Sequence, residues 1–410
     1  MAVLALAPAA VTIPDAGADH GAQVYGTVTA PDGTAVGSVR VGTEAGPTDT
    51  STETSSAGGY RLHPLAPGSY AIEFGSPLAQ YETATVTVSL AQMESKLLDV
   101  ALQPAALPLS VVSGATRIMT AVQASQAGFP QGADTVVIAA GGTFPDALAA
   151  APLAAQNDAP LLLVGDRSGP EVLAEVGRLG AGKAFIVGAS GAVSVVVQSE
   201  LERAGVEVER IAGENRFDTA ALIAREVGAP PSGEVAVAFG GNFPDALAMA
   251  PVAAANGIPI VLADTDLPKD TAAALAALGA TRTLVLGGQA VVSDAVVRQL
   301  PAPRRISGPE RYATGVAVAE EGLRRGGSLS TVYVATGGNF PDALAAGPFA
   351  ALTASPVLLV DGSDARAAGV AYQFLVDHFA EIDRIVVLGG DGAVSSPVRS
   401  RVRRPAMALE

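Results

Sequence analysis

The chain of 410 residues contains no cysteine and no tryptophan, only three histidines, and 4% aromatic residues. Without cysteine it can form neither disulfides nor thiolate metal sites, and it has no thiol nucleophile. The histidines, His20, His63 and His378, stand at unrelated positions, so no repeated acid–base or metal site uses them. A net charge of −15 with few aromatics argues against general nucleic-acid binding. These absences favour a binding protein over an enzyme and imply neither cofactor nor metal.

The length exceeds that of one ordinary hydrophobic core and suggests about two to four domains. Hydrophobic residues make up 49% of the chain, which is ample for burial. Pro, Gly or charge interrupts every apolar run before the roughly 18 residues of a membrane helix, so no transmembrane segment is expected. The apolar start (MAVLALAPAA) resembles the end of a secretory signal. Residues 1–21 are therefore interpreted as a signal-peptide remnant or a disordered tail.

Three phrases recur in the same order, three times each. The first, which we call the Arg-Thr phrase, reads SGATRIMT, AGENRFDT and SGPERYAT. The second, the FPD phrase, reads GGTFPDALAA, GGNFPDALAM and GGNFPDALAA, and its aspartates recur after 99 and then 97 residues. The closing phrase reads VGASGAVS, LGGQAVVS and LGGDGAVS. This order predicts a triplicated module, with module 1 at 113–211, module 2 at 212–306 and module 3 at 307–404.

Each module is predicted to be α/β. The Arg-Thr phrase opens a helix, a short apolar strand follows, and the FPD proline begins a second helix in the position that proline tolerates. A second proline seven residues later should kink or break that helix. A third proline then opens another buried strand, and a helix and a terminal strand complete the module. Strands alternating with helices imply a parallel sheet. The predicted strands before the FPD phrase are 135–140, 235–239 and 331–335, and the terminal ones are 184–187, 283–286 and 385–388.

Residues 22–104 show short alternating runs separated by turn clusters such as Pro31-Asp32-Gly33, which is typical of an antiparallel β-sandwich. The pattern G-x-V, S-x-G-G-Y-x-L and L-x-P-G-x-Y-x-I resembles the carboxypeptidase-regulatory-like or Cna-B-like sandwich. Some members of such families carry a Lys–Asn isopeptide bond. This region has Lys96 but no asparagine, so that crosslink is not available. The segment 101–108 is interpreted as a stiff Pro-containing linker.

The three repeated phrases together resemble the cell-wall-binding repeat 2 family. This resemblance implies three Rossmann- or Toprim-like modules in a pseudo-threefold arrangement, with grooves between neighbours. It also implies a monomeric, secreted protein held non-covalently at the Gram-positive cell wall. The implied partner is an anionic wall polymer, either teichoic-acid-like or a phosphorylated polysaccharide. Module 1 departs most from the pattern, since Gly188-Ala189 replaces a glycine pair, and it is expected to bind less well or to serve for packing.

The repeated polar residues are the candidate ligand-binding residues, and each has a structural alternative. The arginines could present bidentate donors to phosphate or carboxylate groups, or pair with the FPD aspartates and hold the modules together. The Gly-Gly turns could cradle an anion at a helix start, or be tight turns with their own acidic residue. The serines could face a sugar or cap the following helices. The candidates are Arg117, Thr120, Asp146, Arg216, Thr219, Asn242, Asp245, Ser293, Arg311, Thr314, Asn339, Asp342 and Ser395.

The charge distribution limits the polyanion hypothesis. Residues 1–110 and the remainder are both acidic, so long-range steering opposes a polyanion and binding would need local arginine clusters, hydrogen bonds or a bridging cation. Two rival functions remain: a structural or adhesive surface protein, and a nucleotide- or small-ligand-binding protein. Neither G-x-G-x-x-G nor Walker A is present, and Asp264-Thr265-Asp266 occurs in only one module. The sequence therefore favours recognition of a ligand through the geometry of local contacts over attraction by net charge.

Overall fold

The computed structural model describes residues 21–76, 79–143 and 145–406. The predicted signal remnant at 1–21 therefore lies almost wholly outside the described residues. The chain divides into two compact units, the second being Leu107–Arg403 and the first the chain up to Ala106 with a short stretch from Arg404. The division falls inside the predicted linker, because Ala101 still pairs in a strand and Leu102 is fully buried in the core of the first unit.

The first unit has two sheets of short strands around an apolar core, as the alternating pattern predicts. One sheet has the order β4-β1-β7 with β8 also paired to β1, and the other has the order β3-β2-β5-β6. Alternate residues of the long strands point into the core, where Tyr60 packs edge-on against Phe74. The strands are β1 (Ala22–Thr29), β2 (Arg40–Ala45), β3 (Ser51–Glu53), β4 (Gly59–Leu65), β5 (Gly68–Gly75), β6 (Ala84–Leu90), β7 (Ser95–Leu97) and β8 (Val100–Ala101).

The second unit contains three four-stranded parallel sheets, one for each module. The inner strands are buried along their length and are rich in Val, Leu and Ile, as expected for parallel strands covered on both faces. The orders are β11-β10-β12-β13, β15-β14-β16-β17 and β19-β18-β20-β9. The strands are β9 (Leu109–Val112), β10 (Thr135–Ala140), β11 (Leu161–Val164), β12 (Lys183–Val187), β13 (Glu207–Ile211), β14 (Glu234–Phe239), β15 (Ile260–Ala263), β16 (Arg282–Leu286), β17 (Pro303–Ile306), β18 (Thr331–Thr336), β19 (Val357–Val360) and β20 (Arg384–Leu388).

The fourth strand of each sheet was not predicted. β13 and β17 follow the last helix of their module and lead directly into the next Arg-Thr phrase. In module 3 the same place is taken by β9, which precedes the first module in the chain and pairs in parallel with β20. The chain therefore closes on itself, because its earliest strand in this unit completes the sheet of its last module.

The helices begin where the phrases predict. The first helix of each module starts at the phrase arginine, and in modules 2 and 3 the second helix starts at the FPD proline. In module 1 a 3-10 turn, Pro145–Ala149, precedes the second helix. The helices are α1 (Arg117–Gly128), α2 (Ala150–Gln156), α3 (Gly169–Leu179), α4 (Val195–Arg203), α5 (Arg216–Val227), α6 (Pro244–Ala255), α7 (Lys269–Ala277), α8 (Asp294–Val297), α9 (Arg311–Arg324), α10 (Pro341–Ala351), α11 (Gly369–Asp377) and α12 (Ser396–Arg403).

The second proline was predicted to kink or break the helix, and the break is wrong, since in module 1 α2 also contains its proline, Pro152. α6 continues through Pro251 and α10 through Pro348 as single helices. An interior proline costs about 3 kcal/mol through a lost hydrogen bond and a steric clash. Both helices are buried along almost their whole length, so the packing around them outweighs that cost.

The three second helices, α2, α6 and α10, pack against one another at the centre of this unit. Ala151, Ala250 and Gly347 meet there, each immediately before the second proline. The first helix of each module packs on the second helix of the preceding one: α5 on α2, α9 on α6, and α1 on α10. One apolar core therefore runs through all three modules.

Candidate functional site at the module junctions

The phrase arginines bind the FPD turn of their own module. Each donates a hydrogen bond from Nη1 to the carbonyl oxygen of the first glycine in the Gly-Gly pair. Part of each guanidinium is therefore committed to holding the strand-to-helix turn. The pairs are Arg117–Gly141 (2.8 Å), Arg216–Gly240 (2.7 Å) and Arg311–Gly337 (2.6 Å).

The FPD aspartates reach across to the next module. Each carboxylate lies beside the hydroxyl of the phrase threonine in the following module, and the arginine three residues before that threonine attracts it electrostatically. The last aspartate reaches module 1, so the three contacts form a cycle. The partners are Asp146 with Thr219 and Arg216, Asp245 with Thr314 and Arg311, and Asp342 with Thr120 and Arg117.

Each phrase threonine lies at the junction of two modules. Its Oγ1, beside the aspartate of the preceding module in the cycle, accepts a hydrogen bond from the glycine N–H at the start of its own phrase, and in module 1 it donates to Thr116 O. The donors are Gly114 for Thr120 (3.2 Å), Gly213 for Thr219 (3.1 Å) and Gly308 for Thr314 (3.1 Å). These contacts support the structural alternative for the arginine, threonine and aspartate, with the threonine as the direct link that spacing alone did not identify.

The three aspartates are largely buried at these junctions. Burial raises the pKa of each carboxyl above its ordinary value, while the threonine hydroxyl and the arginine of the next module oppose that rise. Each carboxylate lies against the first glycine of its module's closing phrase, and a Cβ there would approach Oδ2 to 2.9 Å at Gly188, 2.3 Å at Gly287 and 2.6 Å at Gly389. All three glycines have positive φ, between 90° and 107°. Glycine is thus required at this repeated position for two reasons: a side chain would clash with the carboxylate, and the backbone has a positive φ.

The helix N-termini at these junctions are occupied by the protein's own side chains. Thr116 caps α1, Asn215 caps α5, and Glu310 caps α9 by accepting from the N–H groups of Tyr312 and Ala313. Such caps satisfy the donors that an anion would otherwise use. These caps belong to the helices of the Arg-Thr phrase. The helices that follow the Gly-Gly turns, α6 and α10, begin after Phe243 and Phe340 without a side-chain cap, so an anion cradle and a tight turn both stay predictions there.

The predicted asparagines and serines take local roles. Asn242 and Asn339 are exposed, and each Oδ1 accepts only from the N–H of the next residue. Ser293 caps α8 and also donates to Thr265 O. Ser395 immediately precedes α12, and its buried hydroxyl has no partner among the described residues. The asparagine side chains are consequently the predicted residues most available to a ligand.

A second repeated arginine holds the closing phrase, and sequence reasoning missed it. Arg210 in β13 donates to Gly188 O and Val193 O, and Arg305 in β17 donates to the corresponding carbonyls of module 2. In β9 the equivalent position is Val111, which pairs beside Val387. Its role is taken by Arg399 of α12, 3.5 Å from Gly389 O. The available signal was an arginine at the second-to-last position of the fourth strand in modules 1 and 2.

A groove of about 290 Å³ lies between modules 2 and 3. Four candidate residues line it, and Glu310 adds a second carboxylate near Asp245 and Arg311. The lining therefore carries two carboxylates against one guanidinium, which suits a ligand that forms hydrogen bonds more than an anion held by net charge. The four candidates are Asn242, Asp245, Arg311 and Thr314.

Away from the groove, a buried ion cluster also joins modules 2 and 3. Arg325 contacts Glu321 of its own helix end and Glu234 at the start of β14, and Arg304 and Arg324 also bind Glu321. Burial would raise the pKa of Glu321, but the hydrogen bonds from the three arginines lower it to about 2. The cluster ties the two modules by charge as well as by apolar packing.

Clusters of metal ligands and membrane-spanning helices are both absent from the described residues. Within the described ranges, no group of three or more His, Asp or Glu side chains is placed to hold a metal ion. None of the helices in the described part of the chain is long and apolar enough to cross a membrane.

Relatives agree with this architecture. The chain is 32% identical over 298 residues to N-acetylmuramoyl-L-alanine amidase LytC of Bacillus subtilis (strain 168), covering 72% of this chain and 58% of the relative. It is 29% identical to the amidase enhancer of the same organism, of which it covers 35%. The chain thus spans little more than half of the first curated relative and about a third of the second.

Solved structures share the fold. Cwp6 from Clostridium difficile superposes with a TM-score of 0.67 at 22% identity, covering 90% of this chain and 64% of that one. Cwp8 from the same organism gives a TM-score of 0.63 at 24% identity, covering 83% and 59%.

Family models match both units. The carboxypeptidase regulatory-like domain matches residues 23–103, in agreement with the predicted sandwich. The model of cell wall binding domain 2 matches three times, at residues 112–198, 210–297 and 305–399, and so covers all three modules. With the triplicated phrases and the closed cycle of module contacts, this match shows that the chain belongs to the cell wall binding domain 2 (CWB2) family.

Proposed function

We propose that the second unit anchors an exported protein non-covalently to the Gram-positive cell wall, with the grooves between modules as the binding surface. The observation that carries this proposal is the recurrence, at each junction, of the same polar set beside exposed turn residues. Three weak sites on one rigid body would gain affinity through multivalency. The match to cell wall binding domain 2 over all three modules supports the location at the wall.

We infer that the polymer is anionic and is read by hydrogen bonds more than by net charge. The unit as a whole is acidic, and the arginines and helix N-termini at the junctions are partly occupied by the protein's own groups. A teichoic-acid-like or phosphorylated glycan offers hydroxyl donors and acceptors along with its phosphates. The inter-module groove would bind such a chain through both kinds of contact.

The same proposal covers the arrangement of the three modules in the second unit. The cyclic Asp–Thr contacts and the meeting of Ala151, Ala250 and Gly347 support three Rossmann- or Toprim-like modules around an approximate threefold axis, in a monomer. The sandwich would act as a spacer or adhesive module. We assign no catalytic role to the three modules, since their carboxylates serve packing and capping. The rival, in which the repeats only hold a surface protein together, shares this architecture and differs in wall binding.

Retention on purified cell walls tests the proposal. Walls are compared before and after extraction of their acid-labile polymers, and the full chain should bind the first and lose most of its binding on the second. Equal retention on stripped walls would exclude the secondary polymer as partner. Retention on neither would favour the structural rival.

Variants identify the surface. The double substitution Asn242→Ala with Asn339→Ala should lower wall retention several-fold and leave the unfolding temperature unchanged, because both side chains are exposed. Gln131→Ala, an exposed amide on the loop after α1, is the matched control. Arg216→Ala with Arg311→Ala should also weaken binding. If that pair unfolds the protein while the asparagine pair binds normally, the junctions serve assembly alone.

A further inference from the structure

Buried hydrogen-bond donors without acceptors are concentrated in module 3. Across residues 21–76, 79–143 and 145–406, seven buried side-chain N or O atoms have no hydrogen-bond partner, and five of them lie on α11, α12 or the residue before α12. All five can donate. Native proteins leave few buried polar atoms unpaired, so such a cluster calls for a group that accepts. The five atoms are Tyr372 Oη, Ser395 Oγ, Arg399 Nε, Arg401 Nε and Arg401 Nη1.

Arg401 and Tyr372 form the core of this cluster. The Arg401 Cζ lies 5.3 Å from the centroid of the Tyr372 ring, which is 2% exposed. No carboxylate in the described ranges lies within ion-pair distance of this guanidinium. Burial lowers the pKa of Arg401, and burial raises the pKa of Tyr372 to about 12. Both groups are thus desolvated without a direct counter-ion.

Module 1 provides an internal comparison, because the closing phrases and the helices after them align without gaps. The residue that corresponds to Arg401 is Glu200. Its carboxylate accepts from Ser168 N, at the start of α3, at 2.9 Å and pairs with Arg167. In module 1 the protein's own carboxylate therefore satisfies the helix start.

Module 3 has the opposite charge in that place. The corresponding helix, α11, begins after Ala368, which has no side chain that can cap it. Module 2 has Gln299 at the aligned position, and its amide donates to Ala295 O of its own chain segment. Only module 3 therefore combines a cation at this position with an uncapped helix start, and it lacks the carboxylate that module 1 supplies.

We propose that module 3 binds an oxyanion of the phosphate class between α11 and α12, held by the Arg401 guanidinium and the Tyr372 hydroxyl. The ligand oxygens would take the place that the Glu200 carboxylate occupies in module 1. A tetrahedral oxyanion can accept from the guanidinium and from the hydroxyl at the same time. This site is separate from the inter-module grooves and does not depend on wall anchoring.

Nearby acidic groups oppose negative charge at this site and so weaken the binding of any anion. Asp361 and Asp364 lie within electrostatic range of Tyr372. Asp361 Oδ1 already accepts from Ser363 N, Ser363 Oγ and Asp364 N, so it is not the missing acceptor. These charges would repel a larger anionic group at the same depth.

Thermal unfolding of the full chain in increasing inorganic phosphate tests the site, with sodium chloride at equal ionic strength as reference. Phosphate should raise the unfolding temperature of the wild-type chain beyond the chloride reference, since a ligand that binds only the folded state stabilises it. Arg401→Gln should raise the phosphate concentration needed for half of that shift at least tenfold. Arg403→Gln, an exposed arginine on the same helix, should leave it unchanged.

Two more variants separate binding from folding. Tyr372→Phe removes only the hydroxyl and should weaken the phosphate response several-fold while the protein stays folded. Arg401→Glu restores the module 1 residue and should abolish the response. An equal shift in wild type and Arg401→Gln, an equal shift with chloride, or no shift in the wild type would each overturn the proposal.

A second arm identifies the source of the phosphate group. Poly(glycerol phosphate) replaces inorganic phosphate at equal phosphate content. A response to both that depends on Arg401 supports a site that accepts polymer-borne phosphate. A response to inorganic phosphate alone supports a site for the free ion, and wall retention that survives Arg401→Gln keeps the proposed anchoring function intact.

Discussion

The first glycine of each closing phrase lies beneath an aspartate carboxylate, and its neighbour in the chain does not. In module 2, Gly287 has φ of 90° and a Cβ would come within 2.3 Å of Asp245 Oδ2, while a Cβ on Gly288 would meet nothing within 4 Å. Gly287→Ala should therefore lower the free energy of unfolding by about 2 kcal/mol or more, from strain and the displaced carboxylate. Urea unfolding measures it. Gly288→Ala is the matched control and should change stability by less than about 0.5 kcal/mol.

Glu321 gives a prediction that rests on charge and not on backbone strain. Its pKa is lowered to about 2 in the folded chain, so it contributes stability above its unfolded pKa, and that contribution is lost as pH falls from about 4.5 through 2. Glu321→Gln leaves three arginines with a weaker partner and should cost about 3 kcal/mol at pH 7. The difference between wild type and variant should shrink across that pH window.

Glu320→Gln is the control for that experiment. Glu320 is the preceding residue on α9, is substantially exposed, and pairs with His378 at 3.5 Å. Its substitution should change the free energy of unfolding by less than about 0.5 kcal/mol at pH 7. A comparable loss in both variants would show that the ion cluster has no special role.

Which polar residues matter could be predicted from their recurrence, but not which module each one contacts. The spacing of Arg216, Thr219 and Asp245 indicates that they belong to one repeating set. It does not show that Thr219 binds Asp146 of the preceding module, because that contact depends on how separate sheets pack. Arg210 was missed because its strand was not recognised, and in module 3 its role passes to Arg399, at a different place in the sequence.

At the scale of elements, the central helices show where packing overrides local preference. Periodicity and proline position correctly placed the start of α6, yet the interior Pro251 suggested a break that the buried environment prevents. The inner strands were predictable from apolar runs bounded by Gly and Pro. The fourth strands were not, since β13 and β17 are partly exposed and polar.

Gly347 tests the packing of the central helices. A Cβ added at Gly347 would lie 3.0 Å from Ala250 Cβ and 3.1 Å from Ala151 Cβ. Gly347→Val should overpack this meeting point and lower the free energy of unfolding by about 2 kcal/mol or more. Gly347→Ala should have a much smaller effect, because the better helix propensity of alanine offsets the tight contact. Thermal unfolding of the wild type and the two variants measures the effect. Equal stability of these three chains would contradict close packing at Gly347.

At the scale of the whole molecule, the position of β9 determines where the second unit can be cut. A chain comprising residues 107–406 keeps β9 and should unfold in one cooperative transition. A chain comprising 113–406 lacks it and exposes the edge of β20. We expect the shorter chain to lose at least about 3 kcal/mol, a fall of roughly 6 °C or more in unfolding temperature, and to self-associate through the open edge.

Calorimetry and light scattering on the two chains check this prediction. A chain comprising residues 22–106 serves as reference for the first unit. Equal unfolding temperatures for 107–406 and 113–406 would show that β9 contributes nothing to the second unit.

The pairing of β9 with β20 also has a consequence for the order of folding. Leu109 pairs beside Ile385, so the first strand of this unit to leave the ribosome must wait for the last. Closing a loop of about 276 residues carries an entropy cost on the order of 5 kcal/mol, which earlier module contacts can reduce by shortening the effective loop. Modules 1 and 2 can complete their sheets as they are made. Module 3 cannot do so until β20 has been made, and this last strand pairing engages both ends of the second unit.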